Sequence, residues 1–135
     1  MNMSGSESKQ FIGRYLQALS GQAKTPAVVD SFVSDAALVE HIRQVEAAFP
    51  CYEIVAEELV AESNLVAMRG TFQGVHRGEF AGIPATGKPV SAGLMIIYRL
   101  DHNRIAEHWL QFDMPGLLAQ LAGRVSNPSR RGALA

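Results

Sequence analysis

The apolar positions follow two regimes, and the change comes at Pro50. Before it they recur at helical spacing. Phe11, Ile12, Tyr15, Leu16 and Leu19 repeat at intervals of three and four until Gly21, and Ser4 followed by Glu7 offers a capping box at the start. Thr25-Pro26 repeats a start signal, a capping hydroxyl and then proline in the first helical position, and Val28, Val29, Phe32 and Val33 supply its buried side. A third helix is expected from near Ser34, with Leu38, Ile42, Val45 and Phe49 as its stripe. Pro50 disfavours a helical conformation at Phe49 and marks the exit.

After Pro50 the pattern is that of strands. Residues 51–61 are rich in strand formers, but Tyr52 and Ile54 share one parity while Leu59 and Ala61 share the other, which a bulge near Glu57-Glu58 would explain. Cys51 is expected as a semi-buried residue of this strand. Ser63-Asn64 turns the chain into a second strand over 65–76, whose Gly70 and Gly74 suit a bend in a curved sheet. A loop over 77–87 holds Gly78, Gly82, Pro84 and Gly87. A third strand over 88–100, a turn at Asp101-His102-Asn103-Arg104, a returning strand over 105–112 and a short helix over 115–121 complete the pattern. Helices segregated ahead of an antiparallel meander indicate an α+β fold: a curved antiparallel sheet packed against N-terminal helices as a cone-shaped barrel. Such a cone encloses a cavity, the usual place for a small molecule.

Length and charge narrow the function classes. At 135 residues the chain is the size of one domain with one core. Twelve basic residues against 13 acidic give a net charge of -1, with no footprint for a nucleic acid or an anionic membrane. Cys51 is the only cysteine, so no internal disulfide forms and a reducing compartment is expected. The first eight residues lack a secretory signal pattern, and no apolar run approaches the ~20 residues of a membrane span, so a cytoplasmic protein is expected. From Arg124 on, through Pro128 and Arg130-Arg131, periodicity ends and a flexible tail is expected.

The run Glu107-His108-Trp109-Leu110-Gln111-Phe112-Asp113 carries the only tryptophan and ends where a strand should give way to a helix. If the last hairpin closes on His102-Asn103 and the register continues unbroken, Glu107, Trp109, Gln111 and Asp113 share a face with Ala92, Leu94, Ile96 and Tyr98. Ala106, His108, Leu110 and Phe112 then lie beside Gly93, Met95, Ile97 and Arg99 on the other. Both faces are substantially apolar, so one is expected to meet the helices and cavity and the other a second subunit.

Asp113 has two readings on its residues alone. It is either the N-cap of the last helix or a carboxyl group desolvated against Trp109 and able to act as general acid or base. Trp109 is either core or a ligand contact, and Gln111 either a pocket wall or a structural hydrogen-bonding group. His41 is a partly buried ring or a pocket residue, and His76 a solvated loop residue or one at the cavity mouth. His108, of opposite parity to Asp113, suits an interface or the reverse face. No metal-ligand spacing, phosphate loop or nucleophile elbow is present.

The run Gly74-Val75-His76-Arg77-Gly78-Glu79-Phe80-Ala81-Gly82-Ile83-Pro84-Ala85-Thr86-Gly87-Lys88, with Ile97-Tyr98-Arg99, Ile105-Ala106-Glu107-His108-Trp109, Asp113 and Gly116-Leu117-Leu118-Ala119-Gln120-Leu121, resembles the SnoaL-like polyketide cyclases over roughly residues 6 to 122. The remaining residues 123–135 are the tail. The resemblance implies the α+β cone of nuclear transport factor 2-like proteins, as a homodimer. It also implies cofactor-free, metal-free acid/base catalysis, an aldol-type cyclisation or a related isomerisation of a small hydrophobic carbonyl compound. Asp113 would be the acid/base group, with His76, Phe80, Tyr98, Trp109 and Gln111 as substrate contacts. The alternative is a dimeric binding protein of the same fold that does no chemistry. One departure stands out. Members usually carry a strand and loop between the second and third helices, whereas Ser34-Asp35-Ala36 joins them almost directly here. Removing that edge strand leaves a smaller or more open pocket, or one completed by a partner, and counts against a large tricyclic precursor.

Overall fold

A computed structural model describes residues 3–127. Helix α1 (Gly5–Leu19) starts from the capping box: Ser4 accepts from the Glu7 N–H and the Glu7 carboxylate accepts from the Ser4 N–H. Its buried side is Phe11, Ile12, Tyr15 and Leu19, the expected stripe without Leu16. Helix α2 (Pro26–Phe32) is capped by Thr25 with proline in its first turn. Helix α3 (Ala36–Ala48) starts one residue past Asp35, whose carboxylate accepts from the N–H groups of Ala37 and Leu38.

Four strands follow in the order of the chain, all antiparallel: β1 (Glu53–Glu62), β2 (Leu65–Val75), β3 (Pro89–Asp101) and β4 (Arg104–Phe112). The expected bulge is present, because Ala56 pairs with Gly70 but Glu58 with Arg69, leaving Glu57 over. Cys51 is a correction. It is exposed, has φ 58° and lies in a turn ahead of β1 rather than in a strand. The Tyr52 N–H donates to the Phe49 carbonyl at 3.1 Å, so Pro50 and Cys51 are the central residues of a turn of type II pattern, with the positive φ at the second.

The β3–β4 hairpin closes on His102 and Asn103, both at positive φ as a type I′ turn demands, and Asp101 pairs with Arg104 as expected. The register then slips. Leu100 pairs with Ile105 but Arg99 with Glu107, so Ala106 is an unmatched extra residue. Every pair beyond it exchanges faces relative to the sequence expectation. His108, Leu110 and Phe112 accompany Tyr98, Ile96 and Leu94, buried side chains of the inner face, while Trp109 and Gln111 accompany Ile97 and Met95 on the outer one.

The core lies between α1, α2 and the inner face, and Ile12, Val33, Phe49, Val66 and Ile105 are fully buried in it. Helix α4 (Met114–Leu121) crosses back over β3. Gln120 clamps it there: its amide oxygen accepts from the Ser91 N–H at 3.0 Å and its amide nitrogen donates to the Ser91 carbonyl at 2.7 Å. The Ser91 hydroxyl bonds the Asn127 side chain at 2.7 Å, which ties residue 127 to β3. The rest of the expected tail, with Pro128 and Arg130-Arg131, lies outside the described residues. Between α2 and α3 there is no strand. A single parallel bridge joins Val33 to Ile105, and the N–H groups of Ser34 and Asp35 both donate to the Ile105 carbonyl. Among the described residues no helix is long and apolar enough to cross a membrane.

Candidate functional site

Helix α3 stands off the sheet, without the close backbone approach that α1 makes to β1 and β2. Its stripe residues Leu38, Ile42 and Val45 therefore line a cavity of about 200 Å³ between the helix and the inner sheet, while Phe49 at its end closes onto Phe72 with ring centres 5.2 Å apart. That volume is below the ~300–1,000 Å³ usual for drug-sized ligands, so the space suits a small molecule. Met68, Phe72, Leu94 and Ile96 form the sheet side. Leu110 and Phe112 come from β4, Met114 and Leu117 close one end from α4, and Phe80 reaches in from the 77–88 loop. Polar lining is confined to four side chains, Tyr15, Tyr52, Tyr98 and His41.

His41 reaches the rim from α3. The residue is exposed at that rim, but partial desolvation there lowers its pKa below the ordinary histidine value, and the charge of a protonated His108 pushes the same way, so the ring is biased toward its neutral form. His108 itself is on the inner face because of the Ala106 bulge, and its Nδ1–H donates to Asp35 Oδ2 at 2.7 Å. Both side chains of that pair are about 15% exposed. Burial works to raise the Asp35 carboxyl, but the His108 hydrogen bond, the Leu38 and Ala37 N–H groups and the His108 charge together outweigh it, and the net shift is downward. One carboxylate thus caps α3 with one oxygen and fixes His108 with the other.

The sequence-predicted residues are divided among three places. Phe80 and Tyr98 line the cavity. Trp109 and Gln111 lie instead on the outer face, with Val60, Ala67, Met95 and Ile97 around a shallow groove. Asp113 is exposed at the head of α4, where its carboxylate accepts from the Gly116 N–H at 3.0 Å, the N-cap arrangement. Its neighbour Met114, not Asp113, reaches the cavity.

His76 is completely buried, but behind the cavity wall rather than on it. Its ring packs on Phe49 at 5.3 Å, and its Nδ1 accepts from the Thr86 N–H at 3.2 Å, which leaves the proton on Nε2, a buried atom without a partner. Since the N–H groups of Arg77 and Gly78 both donate to the Ala48 carbonyl, this cluster ties the loop that carries Phe80 to the end of α3.

Residue patterns alone did not single out the Asp35–His108 pair, because its members are 73 positions apart and the bulge that turns His108 inward has no local signature. For His41 a signal existed, its spacing of three from Leu38 on the buried stripe. Among the described residues no three His, Cys, Asp or Glu side chains gather as metal ligands would.

Comparison with known proteins agrees with this geometry. The family model of the SnoaL-like polyketide cyclases matches residues 8–121. AclR of Streptomyces galilaeus, a candidate hydroxylase, is similar with TM-score 0.77 and 26% identity, covering 89% of this chain and 98% of its own. A candidate polyketide cyclase from Acidithiobacillus ferrooxidans has TM-score 0.74 and 20% identity over 87% of this chain and 96% of its own. IdmH of Streptomyces antibioticus, also a candidate polyketide cyclase, has TM-score 0.70 and 23% identity over 86% and 99%. No curated protein matches the sequence. With the α+β cone, the cavity under its third helix and a family match that covers all eight elements apart from the first turn of α1, the chain belongs to the SnoaL-like polyketide cyclase family.

Proposed function

We propose that this protein is a cofactor-free acid/base enzyme that acts on a small hydrophobic carbonyl compound held under α3. The observation that carries the reading is the cavity itself: nearly apolar walls with one titratable imidazole at the rim, biased toward its neutral form. A neutral His41 takes a proton from the carbon next to the carbonyl. The C–H electron pair becomes an enolate, and the enolate either attacks a second carbonyl, closing a ring whose new alkoxide takes the proton back from His41, or is reprotonated by His41 at another carbon, an isomerisation.

Asp113, the group implied by the family resemblance, gives a second reading supported by its position beside Met114 at the cavity end. To act it has to release the Gly116 N–H and turn inward. Asparagine is itself a good N-cap, so Asp113→Asn removes the acid while keeping the fold. The test is deuterium exchange of the methyl group of 2-acetylnaphthalene in D2O, followed by NMR. With His41 as base, His41→Gln slows the enzyme-dependent exchange by about 100-fold, and Asp113→Asn leaves it within about twofold of wild type. The reverse pattern assigns the proton transfer to Asp113, and binding without any acceleration contradicts catalysis. Because the His41 pKa lies below 6.5, the wild-type rate should stay level on acidification past that value and fall only at lower pH.

For the outer sheet face the proposed occupant is a second copy of this chain. Met95, Val60, Trp109 and Ile97 are exposed there, and the ion pairs Arg69–Glu58 and Arg99–Glu107 place both signs of charge beside them. A two-fold interface needs such self-complementarity. Light scattering at micromolar concentration should give a dimer, and Met95→Lys a monomer; a wild-type monomer contradicts this.

A further inference from the structure

Three phenols meet at the cavity, and among the described residues none of their hydroxyls has a hydrogen-bond partner. Tyr15 comes from α1, Tyr52 from the threshold of β1 and Tyr98 from β3, and they are 6%, 7% and 3% exposed. All three line the cavity. Among the described residues the polar side-chain atoms that are sealed away without a hydrogen bond are His76 Nε2 and Glu46 Oε1, the latter ion-paired with Lys24, and the tyrosine oxygens are not among them. Neither hydrogen-bonded nor sealed in among the described residues, these oxygens belong to side chains that line the cavity.

The rings are fixed from behind. Tyr15 and Tyr98 meet edge to face at 5.8 Å. Tyr52 packs on Phe72 at 5.4 Å, with the Lys24 ammonium 4.0 Å from its ring centre. Lys24 is held in turn by the Tyr52 and Gln22 carbonyls and by Glu46 at 3.3 Å. Burial, and after it the neighbouring phenols, pushes the Tyr98 hydroxyl well above its ordinary pKa, and burial raises Tyr15 and Tyr52 as well. The three groups are therefore neutral O–H donors, close enough to feel one another's charge. A buried hydroxyl without a partner is a net cost to folding, and phenylalanine would fill the same space without it.

We propose that Tyr15, Tyr52 and Tyr98 form a binding site for the carbonyl oxygen of a flat, apolar ketone or ester. This deepens the cavity reading and rests on it. Phenol donors aimed at one oxygen would bind the carbonyl and hold an enolate more tightly still, since negative charge on oxygen strengthens each hydrogen bond. The oxygen would then sit on the sheet side and the reacting carbon would face His41 on α3. The three tyrosines act by binding and polarising, and the proton stays with the group at the rim.

The test compares two probes of the same shape, 2-acetylnaphthalene and 2-isopropenylnaphthalene, in which a methylene replaces the carbonyl oxygen. Wild type should bind the ketone about tenfold more tightly than the hydrocarbon, and the carbonyl stretching frequency of the bound ketone should fall. Tyr98→Phe should remove most of that preference and part of the frequency shift, with Tyr15→Phe and Tyr52→Phe each removing a share. None of the three should lower the melting temperature, because no protein hydrogen bond is lost. If the hydrocarbon binds as tightly as the ketone, or the frequency is the same in wild type and all three variants, the oxygen site is overturned while the cavity stands. If neither probe binds, both are overturned.

Discussion

Helices α1 and α3 have the same grammar and opposite uses. Both are amphipathic, both begin at a side-chain cap and both present a stripe of large apolar residues to the sheet. Helix α1 lies directly on β1 and β2, and Ser8 pins it by donating to the Ser63 carbonyl at 2.6 Å. Helix α3 is anchored at its two ends. Asp35 with His108 and the Ile105 carbonyl hold its start, and the Ala48 carbonyl with the Arg77 and Gly78 N–H groups holds its finish. Between the anchors Leu38, Ile42 and Val45 line the cavity. A tightly laid helix makes a core, whereas one held at its ends roofs a site.

The largest effect that sharpens this contrast is in stability. Ile12, fully buried under α1, should cost about 3–4 kcal/mol when cut to alanine, because its tightly packed surroundings leave a new void. Ile42, nearly as buried but lining the cavity, should cost about 1–2 kcal/mol, since part of its surface already faces a gap. Urea unfolding measures both, and equal losses would mean that α3 is packed as closely as α1.

An intermediate effect concerns the anchor at the start of α3. Asp35→Ala should remove about 1 kcal/mol for the cap, and more for releasing His108. The Asp35 carboxyl titrates below its unfolded value, so its contribution is fully present above the ordinary aspartate range and is lost as pH falls through the folded value. The gap between wild type and variant should accordingly close in acid, which urea melts at a series of pH values would reveal. A gap independent of pH would rule out a stabilising ion pair there.

Caps and turns were legible because each is a few residues long: Ser4 with Glu7, Thr25 with Pro26, the parity switch at Glu57 and the reversal at His102-Asn103 all follow local rules. The faces of β4 were not. A single extra residue, Ala106, an alanine like many others in the chain, exchanged the inner and outer sets, taking Trp109 and Gln111 out of the cavity and bringing His108 toward Asp35. Cys51 was misplaced for a related reason, since strand-forming neighbours masked a turn set by Pro50. The tyrosine cluster was out of reach as well. Its members come from three elements, and their meeting depends on how the sheet curves under α1.

The smallest expected effect is on the outer face. Met95→Lys should leave the stability of the subunit within about 0.5 kcal/mol, as for other exposed sites, while changing the state of association. A large loss of subunit stability would show that this face is packed internally.

The most direct measurement is a backbone and methyl NMR titration with 2-acetylnaphthalene. The expected result is a set of shifts at Leu38, His41, Phe80, Leu110 and the residues around Tyr98, with Trp109 and Gln111 unmoved. Shifts centred on Trp109, Gln111 and Met95, with the α3 side silent, would place the ligand on the outer face and contradict a site under the third helix.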